Sequence, residues 1–330
     1  MKRLIPALLP IFAVLFLAVV CPLISPYSYD EQNNALRNLP PRIPFLERFG
    51  IMDGSAVLTK RRADGLEDPG IYPPNSIIKI MREYETLSVP MADIKADIYA
   101  LNGVKDRYFW FGTDYLGRDM WTRLWTGARI SLFIALAAVM INILMGSVCG
   151  AVSGFYGGFW DLSLMRAAEI VEGIPQLAVF TLIILFMGAG TGSIILALSV
   201  RGWTGYARVV RAQFLRYRES EFVLAARIMG AGDRRLIFRH ILPYAAGPVI
   251  TKAMSAVPGA IFAESFLAYL GLGIQAPLPS IGVLLADGRE TLLQSPYQTF
   301  IPALVMCVLM VSFNGLAIRL RLRSRVKSEQ

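Results

Sequence analysis

The sequence predicts an all-α, polytopic membrane protein with six transmembrane helices, in which a long loop separates the first helix from the other five. Over 330 residues the composition is 55% hydrophobic with a mean hydropathy of +0.50, which is too apolar for an ordinary soluble domain. The apolar residues fall in runs of about 20, the length that crosses a bilayer. The net charge of +9 comes largely from Lys and Arg at the ends of these runs, so it indicates membrane orientation and not nucleic-acid binding.

The first predicted span covers residues 1–24, where two basic residues precede a continuous apolar run. A secretory signal is the competing interpretation, because the residues before Cys21 resemble a lipoprotein cleavage site. Val20 is bulky where such a site needs a small residue, and further spans follow. We therefore favour an uncleaved transmembrane helix.

A long polar region follows, and we predict that residues 25–110 form an extracytoplasmic loop or a small cap. Between Ser25 and Arg129 the chain carries 14 Lys and Arg against 14 Asp and Glu, and so long a loop does not orient the protein by its charge. Its length favours an ordered cap, because long structureless loops are uncommon in compact proteins. We expect residues 93–98 to form part of a helix.

The end of this region is predicted to be a helix entry. Thr113 or Asp114 is expected to cap the next helix, while Arg118, Asp119 and Arg123 have the spacing to pair with one another near the membrane interface. Two interpretations of this helix entry remain open: it stabilises the start of the helix, or it takes a direct part in transport.

Five further spans are predicted after this entry. The second carries glycines at every fourth position, which predicts close packing against another helix. The third is interrupted by a Gly-Ile-Pro sequence, and the fifth has a Pro-Gly bend. The predicted spans are residues 130–155, 165–187, 193–210, 246–270 and 299–318. They lie within a predicted transmembrane core of residues 111–320, and a basic tail of residues 321–330 follows it.

Several charged residues lie inside these spans, where an unpaired charge is costly. Three of them share one face of the third span, and a structural pair between Arg166 and Glu169 remains open beside a gating role. We select Arg201, Lys252 and Glu264 as candidates for a translocation path or gate. For Glu264 a structural hydrogen bond to a neighbouring helix is the alternative.

Residues 214–243 form the one long polar interruption in the C-terminal two-thirds of the chain. Phe222, Ala225, Ala226 and Met229 fall at helical spacing, and the glycines that follow predict the end of that short helix. Asp233 is expected to cap a second short helix, which Pro243 is expected to end. A charged helix pair of this kind also has the properties of a segment that lies on the lipid surface.

The same segment resembles the EAA loop of bacterial ABC importer permeases. The shared residues are Ala225 and Ala226, then Gly230, then Ile241-Leu242-Pro243, although Leu224 stands where that motif has glutamate. The ending Arg239-His240-Ile241-Leu242-Pro243 is similar to the peptide and nickel branch of the family. Residues 112–132 and 264–273 are also similar to that branch, and the resemblance covers residues 111–314.

The resemblance implies that this loop is cytoplasmic and docks on a partner ATPase. The ATPase-coupling residues that it implies are Glu221, Ala225, Ala226, Gly230, Asp233, Arg239, His240, Leu242 and Pro243. It further implies a second homologous permease subunit, two ATP-binding cassette subunits and an extracytoplasmic solute-binding protein as partners. With a peptide as substrate, the chain would form half of the translocation pathway in the lipid bilayer.

Charge placement gives an orientation independently of the resemblance. Six spans put both termini on one side, and eight arginines between Arg208 and Arg239 fall on that same side with the basic termini. Positive charge marks the cytoplasmic side. The sequence therefore predicts a multi-pass protein of the bacterial cytoplasmic (inner) membrane with both termini cytoplasmic.

The leading functional hypothesis is a permease subunit of a binding-protein-dependent ABC importer for dipeptides or oligopeptides. A permease for nickel or another small solute is the alternative, and a stand-alone secondary transporter is a distant one. No phosphate-binding loop sequence occurs, so we expect no ATP site and no enzymatic activity in this chain. We also expect no cofactor or metal, because His240 is the only histidine and it lies in the polar loop.

Overall fold

The computed structural model describes residues 5–61, 76–86 and 89–328, with side chains described for residues 8–59, 76–84 and 91–322. Lys2, Arg3 and the tail side chains beyond residue 322 lie outside the described part, so their effect on orientation stays a prediction. The chain divides into two compact units. The helical unit comprises residues 1–16, 128–276 and 305–330, and the cap unit comprises residues 17–127 and 277–304.

Helices dominate the chain, and a helix is present in every predicted span. In chain order they are α1 (Ile5–Ile24), α2 (Ile98–Leu101), α3 (Met120–Tyr156), α4 (Gly158–Gly173), α5 (Gln176–Met187), α6 (Thr191–Tyr217), α7 (Glu221–Ile228), α8 (Asp233–Arg235), α9 (Leu242–Tyr269), α10 (Ile281–Glu290) and α11 (Tyr297–Ser328). The strands are β1 (Ser55–Arg61), β2 (Ile77–Thr86) and β3 (Val89–Asp97), and short 3₁₀ turns lie at Asn34–Leu36 and Leu46–Phe49.

Within the described residues, fewer than six helices are long and apolar enough to cross a membrane by length and composition alone. Among the described residues three qualify, namely Met120–Tyr156, Asp233–Tyr269 and Tyr297–Leu322. The pair α4 and α5 makes a fourth if it is counted as one span, although it bends by 84° at its break. That break coincides with Ile174 and Pro175, where proline disfavours a helical conformation of the residue before it.

The prediction of an all-α fold is wrong for the cap unit, which contains a three-stranded antiparallel sheet in the order β1-β3-β2. Residues 93–97, expected in a helix, lie in β3, and helix α2 starts only at Ile98. Ala92, Ile94 and Ala96 are fully buried and alternate with more exposed polar residues. An alternation with a period of two is the pattern of a strand with one buried face.

The glycines of the second predicted span bring α3 close to α6, within the helical unit. A β-carbon added at Gly146 would lie 2.5 Å from Cβ of Tyr206, and one at Gly154 would lie 2.6 Å from Cβ of Phe214. At Gly150 it would overlap the carbonyl oxygen of Ala207. Any side chain larger than hydrogen would therefore push the two helices apart, which confirms the predicted packing role.

Candidate functional site

The first short helix of segment 214–243 is α7, and it ends where the glycines predict. Ile228 is its last residue, and Gly230 follows with a φ of +85°. That left-handed backbone conformation favours glycine. A β-carbon at Gly230 would have no atom within 4 Å, so the position needs glycine for its backbone conformation and not for its size.

Helix α7 has apolar residues on two faces, and only one of them is buried in this chain. Val223 and Ala226 are buried at 0% and 3% exposure, and they pack toward the helical segment that precedes α9. Of the four residues whose spacing predicted one helix face, Phe222, Ala225 and Met229 are exposed and only Ala226 is buried. We call that exposed apolar surface the apolar tip, and it consists of Phe222, Leu224, Ile228 and Met229.

The second short helix differs from its prediction at both ends. Gly232 and not Asp233 occupies the N-cap position, and the Asp233 side chain lies in the first turn. The helix also continues past Pro243, through a π-helical segment, Leu236–Ile241, into α9. Pro243 lies in the first turn of α9 directly after this π-helical segment, and the helix continues through it although proline has no N–H to donate. The segment from Asp233 to Tyr269 is consequently one uninterrupted helix.

An aromatic cluster that sequence reasoning missed joins the ends of three helices in this region. The ring of Tyr217 at the end of α6 lies 4.9 Å from that of Tyr244 in α9, and the ring of Phe222 in α7 lies 5.2 Å from Tyr244. Aromatic rings at such separations attract one another. Their distance in sequence concealed the cluster, although each residue lies within or beside segment 214–243.

The other residues expected to couple to an ATPase lie mostly on the surface of the same segment. Ile241 is fully buried beside them and anchors the π-helical segment. The half-buried members are His240 and Leu242, and the exposed members are Glu221, Ala225, Gly230, Asp233, Arg239 and Pro243.

The three candidate path residues are each held by a different partner, and the structure does not gather them into one cluster. Arg201 is partly exposed and donates to the carbonyl oxygen of Ile174 at 3.5 Å. Glu264 is fully buried and accepts a hydrogen bond from the Ser131 hydroxyl at 3.0 Å. A hydrogen bond between helices is the structural alternative that the sequence left open for Glu264.

Lys252 has a different environment from the other two candidates. Its ammonium nitrogen lies 5.5 Å from the centre of the Tyr206 ring, a distance suited to a cation–π interaction. Lys252 also lines a cavity of about 650 Å³ between α6, α9 and α11. Polar neighbours in that lining include Thr251, Ser255 and Asn314. Lys252 therefore lines a cavity together with other polar side chains, and its role in a translocation path stays a prediction.

Charged residues of the broken span α4–α5 form hydrogen bonds and ion pairs with α6. The sequence did not predict these contacts between the two segments. Asp161 accepts two hydrogen bonds from the Arg211 guanidinium, both at 2.5 Å. Glu172 accepts from the Thr204 hydroxyl and from Arg208, both at 2.6 Å. The pair Arg166–Glu169 is formed at 2.7 Å but lies on an exposed surface, where ion pairs contribute little.

The helix entry in the cap unit uses other pairs than those predicted. Arg118 binds Asp114 at 2.6 Å, and Arg118 and Arg123 approach Asp287 at 3.4 and 3.2 Å. Asp119, expected to pair with these arginines, instead caps α3. Burial raises the pKa of Asp287, against the opposing effect of the two arginines. The prediction that Thr113 or Asp114 caps the helix is therefore wrong, because Asp114 is engaged in the ion cluster.

Known proteins are similar to this chain in sequence. Residues 143–326 match the family model described as "Binding-protein-dependent transport system inner membrane component". The chain is 48% identical to the dipeptide transport system permease protein DppC of Bacillus subtilis over 63% of this chain and 65% of that protein. It is 44% identical to the oligopeptide transport system permease protein OppC of the same organism, over 62% of this chain and 67% of that one.

A third relative comes from another organism. The oligopeptide transport system permease protein OppC of Salmonella typhimurium is 43% identical over 64% of this chain and 70% of its own length. The aligned parts thus span about two thirds of each relative. On the family match and these identities, the chain belongs to the family of inner membrane components of binding-protein-dependent transport systems.

Proposed function

We propose that the chain is the permease subunit of an ABC importer for dipeptides or oligopeptides, and that segment 214–243 couples it to a partner ATPase. The names of its relatives support a peptide substrate over nickel. The observation that carries the coupling role is the exposed apolar tip of α7, joined by a glycine elbow to a helix that continues into a predicted transmembrane span.

The apolar tip has the properties of a docking surface. Ile228 and Met229 are 87% and 81% exposed at the end of a helix whose other face is already buried. The residues around the tip are charged, including Arg227 and the basic pair Arg234 and Arg235. An exposed apolar patch with a polar rim is typical of a protein interface.

The continuity of the second helix supplies a route for the conformational change. A movement imposed at the elbow by a docked ATPase would act on Asp233 and then, without a break in the helix, on α9. Lys252 and Glu264 lie on that same helix. ATPase closure would thus tilt α9. The end of α6 and helix α7 would move with it, because the aromatic cluster joins them to α9. This movement would open the path alternately to the two sides of the membrane.

The remaining partners and the topology belong to the same proposal. A second homologous permease subunit completes the pore, two ATPase subunits bind inside, and a solute-binding protein delivers the peptide outside. ATP hydrolysis takes place in the partner subunits and not in this chain. Both termini and segment 214–243 face the cytoplasm, while the cap unit, including the long loop of residues 25–110, is extracytoplasmic.

Substitution of the apolar tip tests the docking role. Burial of one Ile or Met side chain contributes about 1.5–3 kcal/mol, so Ile228→Asp and Met229→Asp should each weaken ATPase binding by about tenfold or more. Ile51→Asp is the matched control, because Ile51 is also an exposed apolar residue, at 58%, but lies in the cap unit.

The measurement is the affinity of the purified ATPase subunits for the permease pair in detergent or nanodiscs. Unchanged affinity in both tip variants would exclude this segment as the docking surface. Uptake of labelled dipeptides and of nickel into proteoliposomes with the complete set of subunits separates the two substrate hypotheses, and uptake without ATP would favour a secondary transporter.

A further inference from the structure

The cap unit contains a cavity of about 420 Å³ at the C-terminal end of α1, a part of the molecule that the coupling mechanism does not use. Sites for small ligands occupy roughly 300–1,000 Å³. Cys21 and Ile24 of α1 contribute apolar lining. The rest of the lining is dominated by aromatic rings and two carboxylates, namely Tyr27, Tyr108, Trp110, Trp121, Asp106 and Asp119.

One carboxylate oxygen of Asp119 has no hydrogen-bond donor of normal geometry in the described part of the chain. The residue is 3% exposed. Its Oδ2 accepts hydrogen bonds from the Thr122 amide at 2.8 Å and from the Thr122 hydroxyl at 2.5 Å. Its Oδ1 is buried, and no residue that the structure describes donates to it with normal hydrogen-bond geometry, although the Trp121 amide lies nearby. A buried polar atom without a partner is costly, so an external donor at this position would be strongly favoured.

The buried basic side chains near Asp119 are already engaged elsewhere, whereas Arg107 is exposed and lines a neighbouring cleft with Asp119. Arg118 and Arg123 bind Asp114 and Asp287. No salt bridge reaches Asp119 in the described part of the chain, and burial raises the pKa of its carboxyl group. An ammonium group at this end of the cavity would therefore stabilise the ionised form of Asp119, which burial disfavours.

The rest of the lining favours a cation with an apolar neighbour. The faces of tyrosine and tryptophan rings attract cations, and the same rings provide apolar contact area. Asp106 is exposed and adds a second carboxylate to the lining. An anion would be repelled by both carboxylates, and a purely apolar ligand would leave Oδ1 of Asp119 without a donor.

We propose that this cavity binds a primary ammonium group carried by an apolar moiety, with the ammonium donating to Oδ1 of Asp119 and the carrier packed among the aromatic rings. Two sources offer this chemistry. One is the N-terminus of a peptide with an apolar first residue, which rests on the proposed function. The other is the ethanolamine headgroup of a phospholipid, whose ammonium is joined to the phosphate by an ethylene linker and so would enter ahead of the anion; exposed apolar side chains such as Leu23 lie at the same end of α1. The ammonium site itself depends on neither source.

The test is an equilibrium titration of the assembled complex without its binding protein, in phosphatidylcholine nanodiscs. The ligands are phenethylamine and N-acetylphenethylamine, which differ in the ammonium group. Asp119→Asn removes the charge while retaining an acceptor for the Thr122 amide. Asp97→Asn is the matched control, because Asp97 likewise caps a helix in the cap unit by accepting from the amides of Tyr99 and Ala100.

Phenethylamine should bind the wild type about tenfold or more tightly than its acetylated form, as expected for a hydrogen bond to a charged group. That preference should vanish in Asp119→Asn and persist in Asp97→Asn. Equal binding of the two ligands to the wild type, or an undiminished preference in Asp119→Asn, would overturn the proposal. Thermal unfolding of each variant separates loss of the site from loss of the fold.

Two further arms of the titration identify the source. If the headgroup is the natural ligand, phosphatidylethanolamine nanodiscs should weaken phenethylamine binding in the wild type but not in Asp119→Asn. If a peptide N-terminus is the ligand, Leu-Leu should compete and N-acetyl-Leu-Leu should not. Peptide uptake by proteoliposomes that contain the same subunits together with the binding protein distinguishes the two proposals, because failure of amine binding leaves uptake intact and absence of uptake leaves the amine site standing.

Discussion

Replacement of Gly230 gives the sharpest test of the elbow between α7 and the helix that follows. The φ of +85° lies in the left-handed region, where an L-residue costs roughly 1–2 kcal/mol. Because a β-carbon there would meet no atom within 4 Å, this cost is purely conformational. Gly230→Ala should therefore lower the population of the native elbow by about five- to thirtyfold relative to alternative loop conformations.

The neighbouring Gly232 provides a matched control within the same loop. Its φ is −70°, an ordinary value for any residue, and a β-carbon there would also meet nothing within 4 Å. Gly232→Ala should consequently leave coupling unchanged. Gly230→Asn should fall between wild type and Gly230→Ala, because asparagine tolerates the left-handed conformation better than alanine.

Gly230→Pro is the most severe change in this series. Proline fixes φ near −65° and has no N–H, so it also removes the hydrogen bond from the Gly230 amide to the Arg227 carbonyl at 3.0 Å. We expect a protein that inserts and assembles but no longer couples ATP hydrolysis to transport.

The assay is the ratio of substrate-stimulated ATP hydrolysis to uptake in proteoliposomes that contain all subunits. Normal coupling in Gly230→Pro, or equal effects of the two alanine substitutions, would refute the reasoning. The first result would remove the elbow from the mechanism, and the second would show that backbone conformation at Gly230 is not the determinant.

The remaining predictions concern the helical core and the topology. Glu264→Gln should assemble and transport within about twofold of wild type, because glutamine still accepts from a hydroxyl, and loss of transport with normal assembly would show that the charge is required. Gly150→Ala should destabilise the complex by about 1–3 kcal/mol through overpacking, whereas Gly192→Ala, with open space around it, should not change the melting temperature. Arg211→Lys should lower the melting temperature, since lysine cannot reproduce the two-bond contact, and an unchanged value would show that the contact is dispensable. Ser55→Cys should react with a membrane-impermeant maleimide from outside, and reaction only after the inner face is opened would overturn the topology.

Local features of this chain could be predicted from its sequence because their causes are local. Apolar runs located the helices, and glycine's tolerance of a positive φ located the end of α7 at Gly230. The glycines at every fourth position of α3 indicated a close helix contact. They did not indicate that α6 is the partner, because the residue pattern of one helix does not specify which other helix packs against it.

Pairing between distant charges could not be predicted in the same way. Asp161 and Arg211 are 50 residues apart, and Asp287 meets Arg118 and Arg123 from 169 and 164 residues along the chain. Each acid had several possible partners in the sequence, and local spacing favoured the wrong one for Arg118 and Arg123. Only the tertiary fold chooses among them.

Two errors have a visible signal in retrospect. The alternation through Ala92, Ile94 and Ala96 has the period of a strand, but small residues and interleaved charges concealed it. Pro243 was taken as a helix end because proline interrupts an α-helix, yet the π-helical segment before it places Pro243 in the first turn of a new α-helical segment.

The continuity at Pro243 changes how coupling would work. Two separate short helices would let the docked loop pivot without moving the membrane part, because a flexible joint absorbs rotation. One helix from Asp233 to Tyr269 would transmit the rotation instead. Glu264 lies 31 residues after Asp233, which is about 45 Å at a rise of 1.5 Å per residue. The prolines at 248 and 258 inside α9 are the places where that helix can bend. Lys252 lies between them and beside a cavity, whereas the buried Glu264 lies beyond both and is tied to Ser131. A tilt that starts at the elbow would therefore move Lys252 more freely than Glu264, which makes Lys252 the better candidate for a group that changes its exposure during transport.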